Sequence, residues 1–166
     1  MALLPALKDV RTIKTLLTRA EAEAVRNGDG LPGPEHLLLS ALDLPDGTAV
    51  AAFRHVGADP DDFRAAVGRA HRDALDRLGV TIGDGLDDLP EADVPRGPYR
   101  LTAPGQQAFQ RAVALSKETR PTRLRAAHVV IAVCEHDRGT AARALRSQGV
   151  DRHDLATAAR EALATA

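Results

Sequence analysis

Aromatic residues are nearly missing from this chain. Phe53, Phe63, Phe109 and Tyr99 are the whole set in 166 residues, and there is no Trp. A core must therefore be built from Leu, Val, Ile and Ala, and so much Ala suits close helix packing. Cysteine is as scarce: Cys134 stands alone, so no internal disulfide can form. A basic surplus is missing too. Lys plus Arg number 22 against 23 Asp plus Glu, a net charge of −1, which argues against a nucleic-acid partner. The local cluster of Arg120, Arg123 and Arg125 reads as a solvated loop. No apolar run approaches the roughly 18–20 residues of a membrane span. No charged segment followed by an apolar one marks a signal peptide at the N-terminus. The reading is a cytoplasmic chain without a membrane partner.

Reactive motifs are missing as well. There is no Gly-x-x-x-x-Gly-Lys-Ser/Thr phosphate loop and no His-Glu-x-x-His zinc helix. Cys134 and His136 are two apart, a spacing that points away from one helix face. The expectation is no enzyme activity, no metal and no cofactor.

What is present is a repeat. The segment from His36 to Ala70 lies over the segment from His128 to Ala162 at a constant offset of 92, without a gap. His36 meets His128, and Leu37-Leu38-Leu39 meets Val129-Val130-Ile131. Gly47-Thr48-Ala49 meets Gly139-Thr140-Ala141, Gly57 meets Gly149, and Asp59 meets Asp151. Cys134 falls opposite Leu42, which marks it as a small core residue rather than a nucleophile.

Each copy reads as four helices. Apolar residues at helical spacing predict the first over Lys8 to Asn27. Pro34 suits the first position of the second helix, where its missing N–H has no partner to lose. Leu37, Leu38, Leu39, Ala41 and Leu42 then make that helix apolar on most sides, hence buried. The third runs from Thr48 to Val56 and stops at Gly57; Asp59 caps a fourth from Pro60 to Leu78. The second copy predicts helices near Thr102–Thr119, Ala126–Glu135, Thr140–Gln148 and Arg152–Ala164, with Gly149 and Asp151 repeating the stop and cap. The division is residues 1–79, a linker over 80–98 and residues 99–166. The linker is rich in Gly, Pro and acids and reads as exposed. The fold class is all-α: two four-helix copies related by a pseudo-twofold axis, with Leu38, Leu42, Phe53 and Phe63 in one core and Val130, Cys134, Leu145 and Leu155 in the other.

Gly33-Pro34-Glu35-His36-Leu37-Leu38-Leu39, followed by Gly47-Thr48-Ala49 and Gly57-Ala58-Asp59, with a second set from His128 through Gly139-Thr140-Ala141 to Gly149-Val150-Asp151, resembles the double repeat of Clp/Hsp100 N-terminal domains. The Leu101-Thr102 entry to the fifth helix is similar too. The resemblance implies a non-catalytic protein- or peptide-binding module of the Clp proteolysis system. Its partners would be unfoldase or protease subunits, adaptors or damaged substrates. The alternative is a protein that sequesters small peptide ligands or cyclic-peptide antibiotics aimed at the unfoldase. No ATPase segment follows, so the chain is either stand-alone or the excised front of a longer unfoldase.

The resemblance also implies sites for phosphorylated arginine, one per copy, each with a Glu for the guanidinium and a Thr hydroxyl. Here the set is split. The first copy keeps Glu35 but has Val10 where the threonine belongs; the second keeps Thr102 but has Ala127 in place of the glutamate. The expectation is weak or absent phosphoarginine binding, any remainder depending on Glu35, and recognition otherwise through an apolar groove between or beside the copies. His36 and His128 are read as structural, each holding a backbone or carboxylate partner.

Overall fold

The computed structural model describes residues 3–79 and 99–166, with side chains from Lys8 onward. The linker over 80–98 lies outside the described residues. Eight helices follow in order: α1 (Leu3–Arg26), α2 (Pro34–Leu42), α3 (Thr48–His55), α4 (Pro60–Arg77), α5 (Ala103–Glu118), α6 (Ala126–Cys134), α7 (Thr140–Ser147) and α8 (Arg152–Thr165). The described residues contain no strand. Boundaries agree with the sequence pattern to within a residue or so, except that α1 begins five residues earlier than its apolar spacing indicates.

The local chemistry that sets these ends is visible. Pro34 occupies the first turn of α2 and Pro60 that of α4. The Asp59 carboxylate accepts from the Asp61 N–H at 2.7 Å, and Asp151 does the same for His153 at 2.7 Å and Asp154 at 3.2 Å. Gly57 and Gly149 leave their helices at φ +71° and +69°, the left-handed region where a side chain would be strained.

The apolar helices α2 and α6 lie against each other at the centre, buried from His36 to Leu42 and from Ala126 to Cys134. Around them the packing is reciprocal. α1 covers α2 as α5 covers α6, while α3 lies on α8 and α4 on α7. The last two contacts join one copy to the other. This corrects the expectation of two cores. Leu38, Leu42, Phe53, Phe63, Val130, Cys134, Leu145 and Leu155 belong to one continuous cluster. Phe53 and Phe63 meet edge to face, with centroids 5.4 Å apart.

A second correction concerns Arg125. It is not solvated but only 2% exposed, and its guanidinium donates to the Leu163 carbonyl at 3.3 Å. Arg120 and Arg123 are exposed as read. Glu23, also buried, is held by ion pairs from Arg64 on α4 and, at 3.1 Å, from Arg26. That leaves no unpaired carboxylate in the interior there.

Candidate functional site

Each buried histidine fastens the loop in front of its helix. His36 Nδ1 accepts from the Gly33 N–H at 3.0 Å, and His128 Nδ1 accepts from the Arg125 N–H at 3.0 Å. An accepting Nδ1 places the ring proton on Nε2. That N–H faces the Asp29 carboxylate at 3.2 Å from His36, and donates to the Thr119 hydroxyl at 2.8 Å from His128. The Asn27 side-chain amide lies 3.2 Å from His36 Nε2 and can accept from the protonated ring only through its oxygen; Asn27 and Thr119 stand at the same offset of 92 as the histidines. These partners went unnoticed in the sequence, although the offset could have found them. Burial lowers the pKa of both rings, that of His128 to about 4 with the nearby Arg125 charge adding to the effect. Both are neutral at pH 7.

Donor atoms of Asp29, Glu35 and His36 lie within 4.8 Å of one another, as in a metal site. The tautomer argues against one. A metal on His36 Nε2 would move the ring proton to Nδ1, where it would meet the Gly33 N–H, so the group works as a hydrogen-bonded cluster.

The cleft of interest opens beside that cluster, between the copies. It has a volume of about 500 Å³ and is lined by Gly33, Pro34 and Glu35 at the start of α2, Thr102 and Pro104 at the start of α5, and His136 to Ala141 leading into α7. Glu35 and Thr102, which the sequence separates into two incomplete halves, thus line one cleft. The pseudo-twofold axis brings the front of α2 against the front of α5. The Thr102 N–H donates to the Pro32 carbonyl at 3.0 Å, and a side chain at Gly105 would sit 2.8 Å from that same oxygen. Only glycine permits so close an approach.

Glu35 has 15% of its side chain exposed and folds back over Gly33, where an added Cβ would meet its carboxylate at 2.9 Å. Burial raises its pKa, partly offset by its own backbone N–H and by the charges of His71 and Arg143. Thr102 caps α5 by accepting from the Gly105 N–H at 3.1 Å, which leaves its hydroxyl proton free to point elsewhere. The α7 N-terminus has Gly139 as cap residue and no capping side chain. Gly139, Thr140 and Ala141 at this start line the cleft together with Arg138, and no side chain satisfies its first N–H groups. Arg138 did not stand out in the sequence, and His136 was weighed only as a metal partner of Cys134; the matched Gly-Thr-Ala motifs were the signal that could have pointed to this turn.

The symmetry-related place is built differently. Val10 is exposed and Ala127 is buried, as the substitutions for Thr102 and Glu35. Asp46 stands where Arg138 would be. Its carboxylate accepts from the Ala126 N–H at 3.0 Å, and the Thr48 hydroxyl accepts from the Ala127 N–H at 2.8 Å. Asp9 takes the Leu124 N–H at 2.9 Å. These side chains consume the N–H groups at the front of α6 and set negative charge there.

Cys134 is buried, and burial pushes its thiol up to about 12, so it is a core residue and no nucleophile.

Two interlocked four-helix copies around a central helix pair, with a cleft where their helix starts meet, define a class of all-α double-repeat domain. Residues 11–148 match the family described as the Clp repeat (R) N-terminal domain, and the chain belongs to that family. It is similar to the chloroplastic chaperone protein ClpC of Pisum sativum, at 35% identity over 72 residues, 43% of this chain and 8% of the relative. Chloroplastic ClpC1 of Oryza sativa subsp. japonica is 33% identical over 72 residues, again 43% of this chain and 8% of the relative. The aligned part is thus a small fraction of these curated relatives. Among solved structures, the N-terminal domain of the caseinolytic protease associated chaperone ClpD from Arabidopsis thaliana superposes with a TM-score of 0.61 at 20% identity, covering 92% of each chain. The Hsp104 N-terminal domain from Candida albicans gives 0.59 at 15% identity, covering 90% of this chain and 87% of that one. No helix among the described residues is long and apolar enough to cross a membrane.

Proposed function

We propose that this chain is a non-catalytic docking module for protein segments in a Clp-type system, and that it holds one site for phosphorylated arginine. The observation that carries this is the meeting of Glu35 and Thr102 in one cleft. A guanidinium needs a carboxylate with little competing water, and Glu35 is such a group. A phosphate needs donors, and the other wall supplies the Thr102 hydroxyl, Arg138 and the uncapped start of α7. The related place at Ala127 and Val10 lacks the acid, the hydroxyl and the arginine, and Asp46 would repel a phosphate. One site is therefore expected, in place of the two half-sites suggested by the sequence alone.

Calorimetry with free phosphoarginine tests it. One site per chain is expected. Glu35→Gln should lose tenfold to a hundredfold in affinity, about 1.5–3 kcal/mol for one charged hydrogen-bond partner. Thr102→Asp keeps a cap for α5 but places a negative charge against the phosphate, and should also weaken binding. Binding that Glu35→Gln leaves intact, or none at millimolar ligand, would defeat the proposal.

A further inference from the structure

Next to the cleft, α4 and α7 leave a groove between them of about 220 Å³. Its floor is a column of small residues on α4, Ala66, Ala70 and Ala74, four apart and so on one helix face. Arg69 and Arg77 rise from α4 beside that floor, and Arg143 rises from α7 opposite them. Asp73 is the one acid lining the groove. None of these three arginines lies within 4.0 Å of an acidic oxygen among the described residues, which they share with every other described arginine except Arg26, Arg64 and Arg111.

Arg143 links the groove to the cleft. It donates to the Thr140 hydroxyl, a cleft-lining group, at 3.0 Å, and its charge acts on the Glu35 carboxyl. A chain segment leaving the cleft along α7 would run directly into the groove. From Ala66 to Arg77 the floor is roughly 16 Å long at about 1.5 Å per helical residue, which matches about five residues of extended peptide.

We infer that this groove receives acidic side chains of an extended peptide, next to the residue held in the cleft. The inference rests on the docking function proposed above and adds a sequence preference to it. Charge complementarity selects the occupant: three arginines against one aspartate favour carboxylates, and the alanine floor admits a peptide backbone close to α4. A nucleic acid fits less well, because no aromatic ring lines the groove for base stacking and the chain as a whole carries no positive surplus.

Two fluorescent peptides test this on the full chain, each with one phosphoarginine followed by four residues, all Glu in one and all Gln in the other. Anisotropy titration should find the Glu peptide tighter by about tenfold, a margin that shrinks as salt rises. Arg69→Gln combined with Arg77→Gln should erase that margin while leaving the affinity for free phosphoarginine unchanged. Equal binding of the two peptides by the unaltered chain overturns the inference, as does a margin that survives the double substitution. Preferential displacement of the Glu peptide by a single-stranded oligonucleotide does so as well. A selective gain for the Glu peptide on replacing Asp87 and Asp88 by Asn would make the chain's own acids the occupant, and would overturn an outside partner. Failure of free phosphoarginine to bind, with the Glu preference and its dependence on Arg69 and Arg77 intact, would remove the phosphoarginine site and leave the groove.

Discussion

His128 spends both of its ring nitrogens on contacts within the fold. Its ring is fully buried, accepts one hydrogen bond and donates another, and titrates near 4 instead of the ordinary 6.5. In the unfolded chain the same ring takes up its proton at about 6.5. Between these values the unfolded state binds more protons, so stability falls as pH drops from about 6.5 towards 4 and is flat above. The full shift corresponds to on the order of 3 kcal/mol. Urea denaturation at a series of pH values should show this loss, and His128→Gln, which lacks the titration, should flatten part of it. An unchanged slope in that variant would assign the acid sensitivity elsewhere. Cys134 gives a second test at this scale. With its thiol held at about 12, a thiol reagent should react at the rate of unfolding and not before; prompt labelling of the native chain would count against its burial.

At the scale of elements, the helices divide into two kinds. α2 and α6 are short and buried on every side, so tertiary packing holds them more than helix propensity does. Leu38, fully buried on α2, should cost about 2–5 kcal/mol on substitution by Ala, read as a lowered denaturation midpoint. α8 depends more on its own ends. Asp151 caps two N–H groups, and Asp151→Ala should lower the denaturation midpoint slightly without changing the fold. A loss as large as that of Leu38→Ala would mean that the cap does more than close a helix.

At the scale of the molecule, the exchange of α3 onto α8 and of α4 onto α7 makes neither copy complete alone. Phe53 and Phe63 lie in the same cluster as Leu145 and Leu155. Calorimetry should therefore show one cooperative transition, and Leu38→Ala and Leu145→Ala should each move all of it. A fragment of residues 1–79 should lack a cooperative transition, because it exposes the faces that α7 and α8 cover. Two separable transitions in the full chain would refute the shared core.

The amino-acid sequence determined the eight helices, since Pro34, Pro60, Asp59, Asp151, Gly57 and Gly149 act on the backbone within a few residues of themselves. It also determined the doubling, because one offset holds apolar phase, stops and caps together. It carried the acid and the hydroxyl of the proposed site, Glu35 and Thr102, but left them in separate copies. Tertiary structure alone decided that they line one cleft. A pseudo-twofold axis brings the start of α2 against the start of α5, 67 positions apart from Glu35 to Thr102, and no local rule encodes that contact. The same holds for Arg125. A run of arginines in a loop looks solvated, and only the packing of α6 against α8 shows that its side chain is buried against the Leu163 carbonyl.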